Sequence, residues 1–217
     1  MKVALLSESP ADEAALHLVV EGVLGCPVER VQPPLRARGW PNVAQILPSV
    51  IRHLHFNTAA DGLVVVVDAD DSVVHDSRHE RPGYFHPGCR LCQLRATVRQ
   101  TLKHLPPSNG RERLHSAVGL AVPAVEAWYL SGRDETVGEE AWMQAQASGL
   151  PSYTRRDLKQ RVYGTIHPSL PLETLRAEEA MRWHRGDFRR LEHDFPGGFA
   201  SLAADLRRWR PDGSARS

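Results

Sequence analysis

The feature that most constrains the fold is an aliphatic run, residues 63–67, that leads directly into Asp68-Ala69-Asp70-Asp71. Five consecutive aliphatic residues are typical of a strand buried on both faces, as in a parallel sheet covered by helices. In open α/β sheets, the reactive crevice lies beyond the carboxyl ends of such strands. Alternation along the strand places Asp68 and Asp70 on one side and Asp71 on the other. The pair predicts a divalent-cation site; a polar strand end capped by Ser72 is the alternative.

The segments around this run predict strands and helices in alternation. Strands are expected at 2–7, 28–31 and 115–122, and helices after Ser9, over 41–55, over 91–105 and after Pro123. This order is typical of a parallel α/β sheet with right-handed crossovers. After Gly132 the strand pattern stops, and helices are expected at 135–147, 154–162, 172–183 and 198–209. We therefore expect an α/β sheet domain over 1–132 and a helical C-terminal region over 133–217 packed on it.

The cysteine count and the lengths of the apolar segments indicate in which compartment the protein is expected. The chain has three cysteines, an odd and sparse set that argues against a disulfide framework. No apolar run approaches the roughly 20 residues of a membrane helix, and Glu8 interrupts the first apolar segment too early for a signal peptide. These observations predict a cytoplasmic protein that does not enter the membrane, and they leave its oligomeric state open.

The charge is unevenly distributed although the net charge is only +1. Residues 151–217 carry 13 Lys and Arg against 9 Asp and Glu, whereas residues 1–150 carry 14 against 17. A basic C-terminal third could form a surface that binds a phosphate backbone. Alternatively, it could be a set of solvated helical faces, which have the same composition. Both interpretations stay open at this point.

Three acidic residues end two of the expected strands. Glu8 follows the first strand, and Asp68 and Asp70 follow the third. If these strands are neighbours, the carboxylates converge, and two of them about 5 Å apart repel by roughly 3 kcal/mol at an effective dielectric of about 20. Three ionised carboxylates need a cation, or one must stay protonated. Mg²⁺ or Mn²⁺ resolves this repulsion and polarises a phosphoryl oxygen.

At these residues the chain resembles a known domain. Glu8 after the first strand and Asp68-Ala69-Asp70 after a later one are similar to the Toprim domain of topoisomerases, bacterial primases and overcoming-lysogenization-defect (OLD) nucleases. Cys92 near the start of the next helix, and the sequence from Pro123 to Leu130, look like a Toprim-related bacterial family known as domain of unknown function 4276. The resemblance covers residues 1 to about 132. Ser9 stands where the Toprim pattern usually has glycine, which puts the tightness of that turn in question.

The resemblance implies a Toprim, Rossmann-like sheet of about four strands and a metal-dependent nuclease acting on DNA or RNA. Glu8, Asp68 and Asp70 would be the catalytic residues and ligands of Mg²⁺ or Mn²⁺, with Glu8 as general acid or base. Asp12, one helical turn past Glu8, would bind a second metal ion. The resemblance also implies a role in bacterial anti-phage defence, often beside a separate ATPase subunit.

Glu126 has two interpretations that the sequence leaves open. It lies in the first turn after Pro123, where a carboxylate complements the helix dipole. Alternatively, it faces the same sheet edge as Asp68 and completes a second metal site.

The loop after Ser72 is rich in histidine. His86, Cys89 and Cys92, with His75 or His79 upstream, have ligand types and spacings that suit zinc. Because a helix is expected to begin at the cysteines, where one turn of spacing also suits packing, we expect no structural zinc there.

Two other functions compete with a nuclease. An aliphatic strand followed by Asp-x-Asp also resembles the nucleophile loop of haloacid-dehalogenase phosphatases, in which the first Asp, here Asp68, is phosphorylated. The second alternative is a non-catalytic binding or regulatory subunit that uses the acidic edge to dock a partner. The sequence contains no P-loop and no dinucleotide-binding glycine motif, so any ATP hydrolysis is expected from a partner chain.

Overall fold

The computed structural model describes residues 1–35, 37, 39–108, 110, 113–150, 153–184 and 187–209. Within these residues, four parallel strands form one sheet in the order β2-β1-β3-β4. The strands are β1 (Lys2–Leu6), β2 (Glu29–Arg30), β3 (Gly62–Asp68) and β4 (His115–Ala121). The expected α/β fold with a parallel sheet of about four strands and flanking helices is confirmed, and it is consistent with a Rossmann-like arrangement.

Helices connect the strands and then continue to the end of the described chain. They are α1 (Pro10–Leu24), α2 (Trp40–Asn57), α3 (Arg90–Lys103), α4 (Val125–Leu130), α5 (Glu139–Ser148), α6 (Arg155–Tyr163), α7 (Leu170–His184), α8 (Arg189–Asp194) and α9 (Phe199–Arg207). Helix α8 is absent from the sequence-based prediction because six residues with one buried apolar side chain give no helical period. Residues 210–217 of the expected C-terminal region lie outside the described residues.

Helix α1 begins and ends as its sequence predicts. Ser9 is the N-cap, its side chain accepts the N–H of Asp12 at 3.2 Å, and Pro10 occupies the first helical position. Gly25 ends the helix with φ of 72°, and its N–H bonds to the carbonyl of Glu21. Ser9 has an extended backbone, φ −145° and ψ 158°, which any residue adopts. The turn after β1 therefore does not need a glycine, and serine contributes a cap in its place.

Helix α2 continues without a break through Pro48, a residue that cannot donate the backbone hydrogen bond of a helix interior. Leu47 and Ile51 on either side of it are buried in the core, so tertiary packing compensates for the hydrogen bond that proline cannot donate. None of the described helices is both long and apolar enough to span a bilayer.

Strand β3 is the centre of the sheet and is buried along its whole length. Its register pairs Val3 of β1 with Gly62 and Ala121 of β4 with Asp68, so the carboxyl ends of these strands lie at one edge. The C-terminal helices belong to the same hydrophobic core, since α7 packs on α1 and α9 on β4. The approach of α9 is close: a Cβ on Gly198 would lie 1.8 Å from the carbonyl oxygen of Leu120.

Candidate metal centre at the carboxyl edge of the sheet

Glu8 and Asp68 meet at the edge of the sheet because β1 and β3 are adjacent and parallel. Oε1 of Glu8 accepts the backbone N–H of Asp68 at 3.0 Å, across 60 residues of sequence. The predicted convergence of these two acids is therefore present in the structure. The hydrogen bond also fixes the orientation of the Glu8 carboxylate relative to the end of β3.

Asp68 is the last residue of β3 and is only 9 % exposed. Its Oδ1 accepts the N–H of Val125, the first residue of α4, at 3.0 Å, so one oxygen is held at a helix N-terminus. Its Oδ2 accepts a hydrogen bond from Nη2 of Arg155 at 2.6 Å. Burial and the neighbouring charge of Asp12 raise the pKa of Asp68 well above its ordinary value, while Arg155 opposes this shift.

Asp70 lies at the same site as Asp68, but its position is not set by strand alternation as the sequence predicts. The strand ends at Asp68, and Asp70 has a positive φ of 48°, so strand alternation does not set its direction. Its backbone N–H bonds to the carbonyl of Pro123 at 2.8 Å. Its carboxylate pairs with Arg90 at 2.7 Å and with Arg155, the residue that also binds Asp68. The two aspartates therefore lie together as predicted, but strand alternation is not the reason.

Asp12 lies in the first turn of α1 and faces the other acids. Burial raises the pKa of Asp12 to about 7; the hydrogen bond from Ser9 opposes the shift, and the charges of Glu126 and Glu8 add to it. A carboxylate with such a pKa is half protonated near neutral pH. Its proximity to the charges of Glu126, Glu8 and Asp68 places Asp12 in the group that the sequence predicts.

Glu126 is the second residue of α4 and is 6 % exposed. Its Oε1 accepts a hydrogen bond from the hydroxyl of Tyr163 at 3.5 Å. Burial raises the pKa of Glu126, and its charge in turn raises the pKa values of Asp12 and Asp68. Glu126 therefore stands at a helix N-terminus and interacts electrostatically with Asp12 and Asp68, while its role in a second metal site stays a prediction.

We call Glu8, Asp12, Asp68, Asp70 and Glu126 the acidic site. All its donors are carboxylate oxygens, the ligand type that hard divalent cations prefer. Buried carboxylates that raise one another's pKa have an excess of negative charge that a divalent cation would neutralise. In donor type the residues present suit Mg²⁺ or Mn²⁺. Among the described residues, three or more ligand atoms lie close enough to share one ion only at His75, His79, Cys89 and Cys92, so the carboxylates of the acidic site would have to move closer together to bind a cation.

The sequence analysis did not identify the two arginines beside the acidic site or Glu173, the acid near the site that lies farthest along the chain. Arg155 at the start of α6 and Arg90 at the start of α3 both pair with Asp70, and Arg90 also donates to the carbonyl of Asp68 at 2.6 Å. Glu173 of α7 raises the pKa values of Asp12 and Glu126. The capping box of Thr154 and Asp157 marks the start of α6 in the sequence, but nothing in the sequence shows that α6 packs beside α4.

An open cleft of about 530 Å³ adjoins the acidic site. It is lined by both arginines, by Asp70 and Asp71, and by Trp142 of α5. Asp71 is exposed and contributes to the cleft. The cleft therefore offers carboxylates, guanidinium groups and one aromatic ring to an approaching ligand.

The histidine-rich loop forms a second polar group. The ligand atoms of His75, His79, Cys89 and Cys92 lie within 4.8 Å of one another, and all four residues are buried. His86 is not a member of this group, although its ring stacks on His79 at 5.2 Å between centroids. The set that the sequence suggests, with His86 as a ligand, is replaced by one with two histidines from the preceding turn. We call these four residues the His/Cys cluster.

Comparison of the chain with protein-family models, with curated proteins and with solved structures gives no match.

Proposed function

We propose that the protein is a metal-dependent nuclease that hydrolyses phosphodiester bonds in DNA or RNA. The observation that supports this most directly is the acidic site itself. Three separate segments of the chain bring their carboxylates to the carboxyl edge of one parallel sheet, where Glu8 bonds to the backbone of Asp68 at 3.0 Å. This edge is where open α/β sheets place their reactive groups.

In this proposal Glu8, Asp68 and Asp70 hold Mg²⁺ or Mn²⁺, and Asp12 and Glu126 contribute to a second position. When bound, the cation supplies Lewis-acid polarisation of the phosphoryl oxygen and lowers the pKa of an attacking water. The carboxylates must then be ionised. Because the pKa values of Asp68, Asp12 and Glu126 are raised, their ionisation is unfavourable at neutral pH, and binding of the cation offsets this.

The remaining groups act on the substrate. Arg155 and Arg90 face the cleft, and guanidinium groups form bidentate contacts with phosphate oxygens. Helix α6 also carries Arg156 and Lys159, so it presents cations to a backbone that passes the site. Glu8, held in orientation by its bond to the N–H of Asp68, takes a proton from the attacking water or gives one to the leaving oxygen. Binding is then expected to weaken with salt, because each neutralised phosphate releases counterions.

A cleavage assay with Glu8→Gln and Asp68→Asn tests the proposal. The unchanged chain is first incubated with plasmid DNA, single-stranded DNA or RNA in the presence of Mg²⁺ or Mn²⁺. This identifies the nucleic acid that it cleaves and the rate of cleavage. Each variant should lose roughly 10²- to 10⁴-fold of that rate. Asp187→Asn is the matched control, because Asp187 is exposed and pairs with Arg189 on the surface. Cleavage that persists undiminished in both acidic-site variants would refute the assignment.

Two further elements of the resemblance stay proposals here. A role in anti-phage defence and a separate ATPase partner both follow from the likeness to Toprim nucleases. ATP hydrolysis by the purified chain alone would contradict the second of them.

One observation favours a non-catalytic subunit as the second candidate. Arg155 bridges Asp68 and Asp70, and Arg90 pairs with Asp70, so the Asp-x-Asp pair already has positive partners. An acidic edge balanced in this way is also suited to docking a partner chain. Calorimetry separates the two functions: Mn²⁺ binding that disappears in Asp68→Asn supports the nuclease, and a failure to bind any divalent cation supports the docking subunit.

A further inference from the structure

We propose that the His/Cys cluster is a structural zinc site that ties the histidine-rich loop to helix α3. The inference is independent of the proposed nuclease activity. Its ligands are His75 and His79 from the loop, Cys89 at the N-cap of α3, and Cys92 one turn into that helix. Two nitrogen and two sulfur donors form the Cys₂His₂ set that zinc takes in closed, tetrahedral sites.

The distances within the cluster agree with one tetrahedral ion. With Zn–S of about 2.3 Å and Zn–N of about 2.0–2.1 Å, tetrahedral angles place a nitrogen and a sulfur ligand about 3.6 Å apart. Nδ1 of His75 lies 3.5 Å from Sγ of Cys89 and 3.7 Å from Sγ of Cys92. All four ligand atoms fall within 4.8 Å of one another, so the widest pair has to close by about 1 Å to reach the roughly 3.3–3.8 Å of a tetrahedral site.

A carboxylate orients one of the histidine ligands. Nε2 of His75 lies 2.8 Å from Oε1 of Glu80, which also pairs with Arg95. A hydrogen bond from Nε2–H to this carboxylate leaves the lone pair of Nδ1 directed at the two sulfurs. Metal-binding histidines almost always have such a partner on the second ring nitrogen, which fixes the tautomer and raises the basicity of the ligand.

His79 supplies an independent observation. Its Nδ1 is buried and has no hydrogen-bond partner among the described residues. The ring is held in place by Tyr84 and His86, which stack on it at 5.4 and 5.2 Å between centroids, and by the edge of His75 at 5.0 Å. A buried, oriented ring nitrogen without a partner is costly unless a cation or another donor is present.

Turns and side-chain contacts, and no regular secondary structure, hold the loop. Residues 73–88 contain no helix or strand and are connected by turn hydrogen bonds such as that from His79 to Asp76. Tyr84 and Phe85 are 47 % and 50 % exposed, so the loop buries little apolar surface of its own. A crosslink by metal compensates for a small core. The spacings His-x₃-His and Cys-x₂-Cys are those of structural zinc sites.

The backbone of the first ligand is also fixed from outside the loop. A Cβ on Gly197 would lie 1.8 Å from the carbonyl oxygen of His75, so the chain before α9 packs directly on this residue. On the other side, Arg90 stands between Cys89 and Cys92 in sequence and binds Asp70. The zinc would therefore hold the start of α3, and with it Arg90, beside the acidic site.

Metal analysis of the full-length chain, expressed in zinc-supplemented medium, tests the site. We expect one zinc per chain, and X-ray absorption at the zinc edge should show two sulfurs at about 2.3 Å and two nitrogens at about 2.0–2.1 Å. Cys92→Ser and His79→Asn should each lower the zinc content at least tenfold. Glu80→Ala should weaken zinc binding by about 10- to 100-fold in a chelator competition.

Two variants act as matched controls. Cys26→Ser removes an exposed cysteine, and His53→Asn removes an exposed histidine of α2 far from the loop in sequence, so both should keep one zinc per chain. Loss of zinc in His86→Asn with retention in His79→Asn would overturn the ligand set. If a cluster variant fails to fold, the absorption spectrum of the unchanged chain loaded with Co²⁺ decides. Thiolate charge-transfer and tetrahedral d–d bands support the site, and their absence together with zinc-free protein overturns it.

Discussion

The acidic site and the His/Cys cluster both contact the start of helix α3, through Arg90 and through Cys89 and Cys92 respectively, but they hold their polar groups in opposite ways. In the acidic site, buried carboxylates raise the pKa values of Asp68 and Asp12, and Arg155 and Arg90 supply positive charge. In the His/Cys cluster, the rings pack on one another, and the carboxylate that bonds to His75, Glu80, lies outside the ligand set. The acidic site has an excess of negative charge, whereas the His/Cys cluster has a buried ring nitrogen, Nδ1 of His79, with no hydrogen-bond partner among the described residues.

The two sites also differ in what builds them. Three of the acids lie at or next to the ends of β1 and β3, so the sheet and its core position them whether or not a cation is bound. The His/Cys cluster depends on residues 73–88, which contain no regular element. A cation at the sheet edge is therefore expected to serve chemistry with little effect on folding, whereas zinc at the cluster should contribute to the stability of the loop.

The largest expected effect is on stability, and it follows from that contrast. Removal of zinc by a zinc-selective chelator at constant Mg²⁺ should lower the free energy of unfolding by about 4 kcal/mol, for free zinc at about 1,000 times its dissociation constant. Removal of Mg²⁺ at constant zinc should cost only about 1 kcal/mol, for Mg²⁺ near about 10 times its dissociation constant. Denaturant unfolding with a fixed m-value measures both changes.

Cysteine variants show whether the zinc effect comes from the cluster. Cys92→Ser should be insensitive to the chelator, whereas Cys26→Ser should respond like the unchanged chain, because Cys26 is exposed and outside the cluster. If chelation leaves the unchanged chain within about 0.5 kcal/mol, the cluster is not a stabilising metal site and the contrast between the two sites fails.

The same contrast explains how far the sequence could be interpreted. Strand β3 and the position of Asp68 follow from an aliphatic run, and the meeting of Glu8 with Asp68 follows from the rule that parallel strands end at one edge. The cap at Ser9 and the stop at Gly25 follow from local chemistry. Each of these features depends on short-range pattern or on sheet topology.

The features that could not be predicted from the sequence depend on packing between segments that are distant along the chain. Arg155 meets Asp68 across 87 residues because α6 packs beside α4, and no periodicity encodes that contact. In the His-rich loop, spacing alone favours His86, which is nearest to Cys89 in sequence, but the loop folds so that His75 and His79 face the sulfurs. Loop closure of this kind is set by turns and side-chain stacking, which have weak sequence signals.

A smaller effect tests the excess of charge in the acidic site. The folded pKa of Asp12 is about 7, above its ordinary value of 3.8, so the folded chain binds more protons than the unfolded chain between these values. Its contribution to the free energy of unfolding therefore falls as pH rises from about 4 to about 7. The full shift corresponds to about 4 kcal/mol, and we expect about half of it because Asp12 is only half-buried. In buffer free of Mg²⁺ and Mn²⁺, Asp12→Asn should therefore be more stable than the unchanged chain by about 2 kcal/mol at pH 8 and about equal at pH 4.

Saturating Mg²⁺ should shrink or reverse this gain, because the cation offsets the repulsion that the asparagine relieves. Asp187→Asn is again the control: the pKa of Asp187 is lowered by its hydrogen bonds with Arg189, so its removal should not stabilise the chain at pH 8. A pH-independent difference between Asp12→Asn and the unchanged chain would show that Asp12 is not strained by burial and by its acidic neighbours.

The smallest effect concerns the arginine that bridges the Asp-x-Asp pair. Arg155 is 44 % exposed in its side chain, so its pairs with Asp68 and Asp70 are partly screened by water and are worth about 1 kcal/mol together. Because the guanidinium and a divalent cation compete for the same oxygens, Arg155→Met should raise the affinity for Mn²⁺ about 3- to 10-fold in calorimetry. Arg156→Met, one residue along α6 and exposed, should change it less than about 2-fold. Weaker Mn²⁺ binding in Arg155→Met would mean that Arg155 organises the carboxylates rather than competes for them, and the acidic site would then depend on α6 as closely as the His/Cys cluster depends on its loop.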